Sequence, residues 1–440
     1  MKNIIVLLSI FYGICLIVNA FSQQKPDAEK PQAHFHKLNI DSLKRARLTE
    51  MKRKGKERAE TLSHQTDQTA KYLNISYAGL TEIPEFIYEY ENLEKLNLAH
   101  NQIKRLPKKL NNLTKLKSIS LANNQLNKHK IKFQKLKHIK VLYLFDNDLV
   151  KLPRSINKLK NLEEINISSN SFNKIPMRLR KLKKLKILKI NDNYLAIQGQ
   201  KLHKLRSLQQ LRMNKCSIKN LPDNLWELKN LTELQLSGNI IEEIPAGIKA
   251  LENLESLSLY NNKIKALPIE FYELKALKTL DIYFNELEKI SPDIEKMQNL
   301  EVLYMSNNKL FSLPESIGSL SNLKRLYLHH NRLSEIPASI KDLDHLEVLH
   351  INKNYFSAFP SQILGLKSLV DLDISDNEIV SIPNGLDKLN HLQLFFFQNN
   401  PVNPNDVENK HLAAMVRNLR NNGAKVNYNS YDQSIDLEDQ

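Results

Sequence analysis

The chain has 440 residues, a formal net charge of +16, two cysteines, one tryptophan and ten glycines. Its length alone suggests two to four domains. So few cysteines exclude a fold held together by several disulfides. The abundance of Leu, Ile, Asn and Lys instead indicates one short unit that is copied many times.

The first 22 residues predict a secretory signal peptide. Lys2 precedes an apolar run from Ile4 to Val18, and small residues follow at Ala20 and Ser22. The alternative is an uncleaved membrane anchor, but the run is shorter than the ~20 residues that a spanning helix needs. We therefore expect a secreted or cell-envelope protein, extracellular or periplasmic. Its mature form would keep only one cysteine and form no internal disulfide.

Residues 23–69 predict a linker followed by a basic helix. The linker covers residues 23–37, and the helix runs from Asp41 to Leu62 with eight Lys and Arg side chains. We expect this helix to cap the repeats that follow.

A 23-residue unit recurs 15 times across residues 70–403, without insertion or deletion. Such a fixed period is the sequence signature of a solenoid. The units begin at Ala70, Leu93, Leu116, Ile139, Leu162, Leu185, Leu208, Leu231, Leu254, Leu277, Leu300, Leu323, Leu346, Leu369 and Leu392.

The residue types that recur in the unit can each be explained by the structure they favour. Its L-x-x-L-x-L segment predicts a short strand whose fourth and sixth residues point inward and whose third, fifth and seventh point outward. The proline at position 15 can start a short 3₁₀ turn. An Asn at position nine can bond buried backbone groups in the turn after the strand. The position-nine series, which we call the Asn ladder, is Asn101, Asn124, Asn147, Asn170, Asn193, Cys216, Asn239, Asn262, Asn285, Asn308, Asn331, Asn354, Asn377 and Asn400. Cys216 in this slot predicts a buried structural thiol.

Residues 70–400 resemble the leucine-rich-repeat superfamily in its 23-residue form, L-x-x-L-x-L-x-x-N-x-L-x-x-L-P-x-x-L-x-x-L. The resemblance implies an α/β solenoid, a horseshoe with a parallel β-sheet on the concave face and short 3₁₀ or helical turns on the convex face. It also implies that ligands, usually proteins, dock on the concave face. Many extracellular relatives cap their ends with disulfides, which this chain lacks.

The C-terminal segment, residues 404–440, predicts a different kind of cap. An amphipathic helix from Asn405 to Arg420 carries Val407 and Leu412 on its apolar face, and Gly423 is placed to end it. A short strand and an acidic tail from Asp432 follow. We expect this piece to cover the last open edge of the sheet.

The outward positions of the ninth to thirteenth units are rich in aromatic side chains. Equivalent positions on neighbouring strands lie ~4.8 Å apart, so Tyr304, Tyr327 and His350 should stand side by side. Exposed aromatics are common anchors of binding surfaces, although tyrosines also simply suit strands. We name this group the aromatic patch; it comprises Tyr260, Tyr283, Phe284, Tyr304, Tyr327, His329, His330 and His350. Tyr143 and Phe145 form a second, smaller candidate cluster. The histidines have no metal-ligand spacing, so no metal is predicted.

Positive charge is concentrated in residues 101–210, which hold 27 Lys and Arg against five Asp and Glu. This basic band falls on the outer and lateral surfaces. It is either a solvated face or a surface that attracts anionic polysaccharide or a membrane. No motif for nucleic acid, catalysis or a cofactor is present. The sequence therefore predicts a non-enzymatic protein that binds a protein ligand through its concave sheet, with anionic glycan or lipid binding as the alternative.

Overall fold

The computed structural model describes residues 32–65, 67–127, 131–133, 135–386, 389–403 and 406–427. The chain divides into two compact units, residues 1–54 and 55–440. The predicted signal peptide, residues 23–31 of the predicted linker and the acidic tail lie outside the described residues.

Helix α1 spans Gln32–Ser63 and so begins before the predicted start at Asp41. Residues 32–37, which the sequence interpretation assigned to a linker, are helical. The reason is local, because residues 32–54 contain neither proline nor glycine and nothing in them stops a helix.

The end of α1, which belongs to the second unit, packs closely on the first repeat. A Cβ added at Gly55 would lie 2.5 Å from the carbonyl oxygen of Ser76, so only glycine fits there. The Arg58 guanidinium donates to the same oxygen at 3.2 Å. Ala59 and Leu62 pack against the hydrophobic core. These contacts cover the apolar end of the array.

In the described residues, the array and the C-terminal segment together form one parallel sheet of sixteen three-residue strands, ordered as they follow in the chain. Up to β15, each strand residue pairs with the residue 23 positions later, as Leu280 does with Leu303. The middle residue of each strand is buried. The strands are β1 Tyr72–Asn74, β2 Lys95–Asn97, β3 Ser118–Ser120, β4 Val141–Tyr143, β5 Glu164–Asn166, β6 Ile187–Lys189, β7 Gln210–Arg212, β8 Glu233–Gln235, β9 Ser256–Ser258, β10 Thr279–Asp281, β11 Val302–Tyr304, β12 Arg325–Tyr327, β13 Val348–His350, β14 Asp371–Asp373, β15 Leu394–Phe396 and β16 Lys425–Asn427.

Short 3₁₀ helices form the return path of the units. Ten of them follow directly on a proline, whose fixed φ suits the entry to the turn, and Pro292 is itself the first residue of another. The described 3₁₀ helices are Glu85–Glu89, Lys108–Asn112, Arg154–Lys158, Met177–Lys181, Leu202–Lys204, Asp223–Leu225, Ala246–Ala250, Ile269–Glu273, Pro292–Lys296, Glu315–Ser319, Ala338–Asp342, Ser361–Gly365 and Val407–Asn409.

Helix α2, Leu412–Asn421, and strand β16 follow the last repeat. The helix buries Leu412, Met415, Val416 and Leu419. Gly423 adopts a φ of +89°, which ends the helix and lets the chain turn back. Strand β16 then pairs in parallel with β15, so the β15 edge is not left open.

Val407 is a correction to the predicted helix. It is 78% exposed and lies in a 3₁₀ turn before α2, not on the apolar face of that helix. The cause is Asn409, a buried residue whose amide donates to the carbonyl oxygens of Val380 at 3.0 Å and Asn403 at 2.9 Å. These polar contacts fix the turn, and the α-helix begins only at Leu412.

The Asn ladder bonds each repeat to the one before it. At Asn308, Nδ2 lies 3.0 Å from the carbonyl oxygens of Ile282 and Met305, and Oδ1 accepts the Leu287 N–H at 3.0 Å. The Met305 oxygen also accepts from Asn331 in the following repeat, at 3.0 Å. Most such oxygens are thus shared by two asparagines; at the Cys216 unit, the Ile190 oxygen is shared by Asn193 and the thiol, and the Met213 oxygen accepts from Asn239 alone.

Cys216 is fully buried, and its burial raises the pKa of the thiol to about 12. Its Sγ lies 3.3 Å from the carbonyl oxygens of Ile190 and Asn214. Because a thiol supplies no equivalent of the amide oxygen, the Leu195 N–H donates to the backbone oxygen of Cys216 instead, at 3.1 Å. A thiol so buried and so weakly acidic is a poor nucleophile.

The residue before each member of the Asn ladder adopts a left-handed conformation. Its φ is +57° at His100, +56° at Phe284 and +56° at His330, and Gly238 with φ +66° fills the same slot. The sequence does carry a signal for this, since the slot is rich in Asn, Asp, His and Gly, which tolerate positive φ. The sharp turn places these side chains at the rim of the sheet.

Candidate ligand-binding face

Strands β11 to β13 bring three rings of the aromatic patch into one column. Tyr304, Tyr327 and His350 end their strands and pair in register. The rings of Tyr304 and Tyr327 stack with centroids 4.8 Å apart and an interplanar angle of 7°. Tyr327 meets His350 edge to face at 5.1 Å. All three side chains are partly exposed on the outward face of the sheet.

The other members form a second group beside this column. Tyr260 stacks on Tyr283 with centroids 5.4 Å apart, and Phe284 packs edge-on against Tyr283 at 4.7 Å. Tyr283 also reaches His329, two repeats away, at 5.7 Å. The small side chain of Ser306 stands at the intervening position and leaves room for this contact.

Partly buried carboxylates flank the tyrosine column. Asp281 precedes Tyr304 in the register, and Asp373 follows His350. Asp281 accepts hydrogen bonds from the Ser258 hydroxyl at 2.7 Å and the Tyr283 N–H at 3.2 Å. Burial nevertheless raises the pKa of both carboxyl groups. A further carboxylate, that of Asp371, lies 3.1 Å from Nε2 of His350.

His329 is held in its neutral form. Its Nδ1 shares a hydrogen bond with the hydroxyl of Ser306, a fully buried residue, at 2.8 Å. Burial, together with the nearby His350, His330 and Lys353, lowers the pKa of His329 to about 3. The imidazole therefore acts as an uncharged polar group in the patch at neutral pH.

Tyr143 and Phe145 lie on the same sheet face, in β4 and just after it, and both are partly exposed. Burial, with the neighbouring Glu164, raises the pKa of Tyr143. Among the described residues, no ring contact joins Tyr143 to Phe145. These two residues therefore form a less organised surface than the aromatic patch.

The sequence interpretation considered Asp371 and Asp373 only as possible metal ligands, and it left the acidic residues of this face out of the binding patch. Asp281 and Asp373 occupy the same unit position as Tyr304 and Tyr327, so their place in the column could have been read from the period. In the described part of the chain, no group of three or more His, Cys, Asp or Glu side chains is arranged to hold a metal. None of the helices in that part is both long and apolar enough to cross a membrane.

Sequence profiles of known families match most of the array. The profile described as a leucine-rich repeat region matches residues 119–236 and 312–422, and one described as a leucine rich repeat matches 229–287 and 275–333. A two-copy repeat profile matches residues 91–132. No curated protein sequence matches the chain.

Solved structures share the same architecture. A leucine-rich-repeat protein of Leptospira interrogans is 27% identical, with a TM-score of 0.71 over 84% of this chain and 98% of that one. The Toll–Spätzle complex of Drosophila gives 26% identity and a TM-score of 0.63, covering 74% of this chain and 47% of that one. The Arabidopsis receptor kinase HAESA, solved with the peptide hormone IDA and its co-receptor, is 28% identical to this chain. Its TM-score is 0.61 over 76% of this chain and 59% of that one. With 16 parallel strands in one open sheet and family profiles over more than half its length, the chain belongs to the leucine-rich-repeat family.

Proposed function

We propose that this protein binds a protein ligand on its concave sheet face, and that the aromatic patch is the centre of the contact. The observation that carries the proposal is the in-register stack of Tyr304 on Tyr327, with His350 against it. Rings held this way lose little further freedom on binding, and aromatic side chains are frequent hot spots of interfaces. The role is binding and not catalysis.

The relatives support this reading. The titles of two of the solved structures name partners, Spätzle for Toll and a peptide hormone for HAESA. A repeat sheet offers a rigid surface for such a partner, because every strand is fixed by its two neighbours.

The charges around the patch suggest what the ligand carries. Asp281, Asp371 and Asp373 lie among or beside the rings. A Lys or Arg side chain of the ligand could stack on a tyrosine and approach one of these carboxylates at the same time. We therefore expect the bound segment to combine a basic residue with apolar ones.

Replacing both Tyr304 and Tyr327 by alanine should weaken ligand binding about 100-fold or more, since each buried aromatic anchor contributes on the order of 2 kcal/mol. Proteins retained by the wild-type chain from its native milieu would be identified by mass spectrometry, purified and titrated by calorimetry. The matched control is the Tyr72→Ala, Tyr194→Ala chain, because both tyrosines are exposed and lie outside the aromatic patch. Equal affinity of the patch variant and the wild type for every retained protein would refute the proposal.

We also propose that the protein acts outside the cytoplasm, after removal of a signal peptide. The support is the apolar run from Ile4 to Val18 with small residues at Ala20 and Ser22. The expected mature chain begins at Phe21 or Gln23. Intact-mass measurement of the protein from its native source checks this, and a mass that includes Met1 or Lys2 would contradict it.

A further inference from the structure

The basic band contains a groove whose lining is almost entirely cationic. The groove has a volume of about 760 Å³ and lies in the second compact unit. The hydroxyl side chain of Ser207 is part of the lining. The cations that line it are Lys160, Arg180, Lys181, Lys183, Lys204 and Arg206. All six are exposed.

A row of cations, one in each of five successive repeats, passes through this groove. Lys160, Lys183 and Arg206 share position 22 of the unit, and Lys137 and Lys229 extend the same position by one repeat at each end. Paired strands of neighbouring repeats lie ~4.8 Å apart, so five cations at the same unit position extend over at least about 20 Å along the array. Thr114 and Glu252 occupy this position in the next repeats and mark where the row ends.

Some lysines elsewhere on the array are paired with a glutamate of the preceding repeat. Lys278 lies 2.9 Å from Glu255, and Lys324 lies 2.8 Å from Glu301. In the described chain, no carboxylate lies within 4.0 Å of any of the six groove cations.

The two glutamates of the same repeats pair with lysines outside the groove. Glu163 pairs with Lys140 at 3.0 Å, and Glu164 pairs with Lys189 at 2.7 Å. Neighbouring positive charges repel one another, and an anion placed between them lowers their electrostatic energy. Six cations that line one groove therefore form a favourable place for an anion.

We propose that the groove and its row of cations form a binding site for a linear sulfated polysaccharide that runs along the array. The regular spacing of anionic groups along a linear polymer suits a row of cations with one member in each repeat. The lining contains no aromatic side chain, although single-stranded nucleic acid is normally bound by base stacking. It also contains no apolar side chain to insert into a bilayer. This function goes beyond the proposed binding of a protein ligand and uses a different set of residues.

The test uses a heparin-derived octasaccharide as the probe. The Kd of the wild type would be compared with that of Lys160→Glu, Lys183→Glu, Arg206→Glu. The control, Lys249→Glu, Lys265→Glu, Lys367→Glu, changes the net charge equally at exposed lysines outside the groove. We expect the groove variant to weaken the Kd at least 30-fold and the control less than threefold. The wild-type affinity should also fall steeply between 50 and 200 mM salt.

Two results would overturn the proposal. One is an equal loss of affinity in the two triple variants, which would mean that net charge alone attracts the probe. The other is tighter wild-type binding of a single-stranded oligodeoxynucleotide, or of anionic lipid vesicles, than of the octasaccharide at equal salt. The Lys160→Gln, Lys183→Gln, Arg206→Gln chain, which removes charge without reversing it, should also lose affinity. The Tyr304→Ala, Tyr327→Ala chain should keep it, so this test is independent of the proposed function.

Discussion

Acidification from about pH 7.5 to pH 4.5 should lower the free energy of unfolding by about 3 kcal/mol through His329 alone. The pKa of this residue falls from its usual 6.5 to about 3 in the folded chain. Between these two values the unfolded chain takes up a proton at His329 that the native chain excludes. Stability is therefore complete above pH 6.5 and declines as the pH falls towards 3, at about 1.4 kcal/mol per pH unit.

Two carboxyl groups beside the aromatic patch have the opposite effect on the pH dependence of stability. Burial raises the pKa of Asp281 and Asp373, so the native chain binds protons at these carboxyls before the unfolded chain does. As the pH falls towards 3.8, this preference stabilises the native state. The stability of the wild type alone would therefore understate the contribution of His329.

The comparison that isolates His329 is its replacement by Asn, whose amide can keep the hydrogen bond to Ser306. Urea unfolding would be followed between pH 7.5 and 4.5 for the wild type, His329→Asn and the exposed control His345→Asn. The difference between the wild type and His329→Asn should change by about 3 kcal/mol over this range. The prediction is wrong if the two curves stay parallel, as those of the wild type and the control should.

The period alone was enough to predict the sheet face and the columns on it. Strand side chains alternate, and the same unit is repeated 15 times, so a residue's position in the unit decides its face. The register of Tyr304, Tyr327 and His350 follows from that rule. The start of α1 at Gln32 was not predicted, because residues 32–37 were assigned to the linker although Pro31, a residue type common at helix starts, directly precedes them. Val407 was misplaced because a buried amide at Asn409 outweighed the apolar pattern.

The side-chain contacts and pKa values of the candidate site could not be predicted from the sequence. The contact between Tyr283 and His329 crosses a whole repeat and depends on the small Ser306 between them. The low pKa of His329 arises from burial under neighbouring side chains, which no single unit contains. Similarly, the sequence placed Cys216 in the Asn ladder, but it did not predict that the Leu195 N–H would donate to the backbone oxygen of Cys216. What a residue's position in the unit decides, including its column on the sheet, was predictable; contacts and pKa values that depend on the neighbouring side chains were not.

Replacing Asn308 by alanine is expected to lower the free energy of unfolding by about 3 kcal/mol. The buried amide of this residue bonds carbonyl oxygens in two repeats, and its oxygen accepts the Leu287 N–H. Alanine leaves that N–H buried without an acceptor, which alone costs about 1–3 kcal/mol. The Ile282 and Met305 oxygens each keep one donor, from Asn285 and Asn331 respectively, so the loss at the carbonyls is partial.

The control for this variant is Asn322→Ala, because Asn322 is exposed and its amide makes one bond, to the Gln298 oxygen at 2.8 Å. Its loss should cost less than about 1 kcal/mol, since water replaces the missing partner. Hydrogen exchange adds a readout specific to the ladder. The Leu287 amide should lose protection in Asn308→Ala, while amides several repeats away change little, because each repeat contacts only its neighbours. Equal destabilisation by the two variants would mean that the ladder is no stronger than a surface hydrogen bond, and that side-chain packing alone holds the repeats in register.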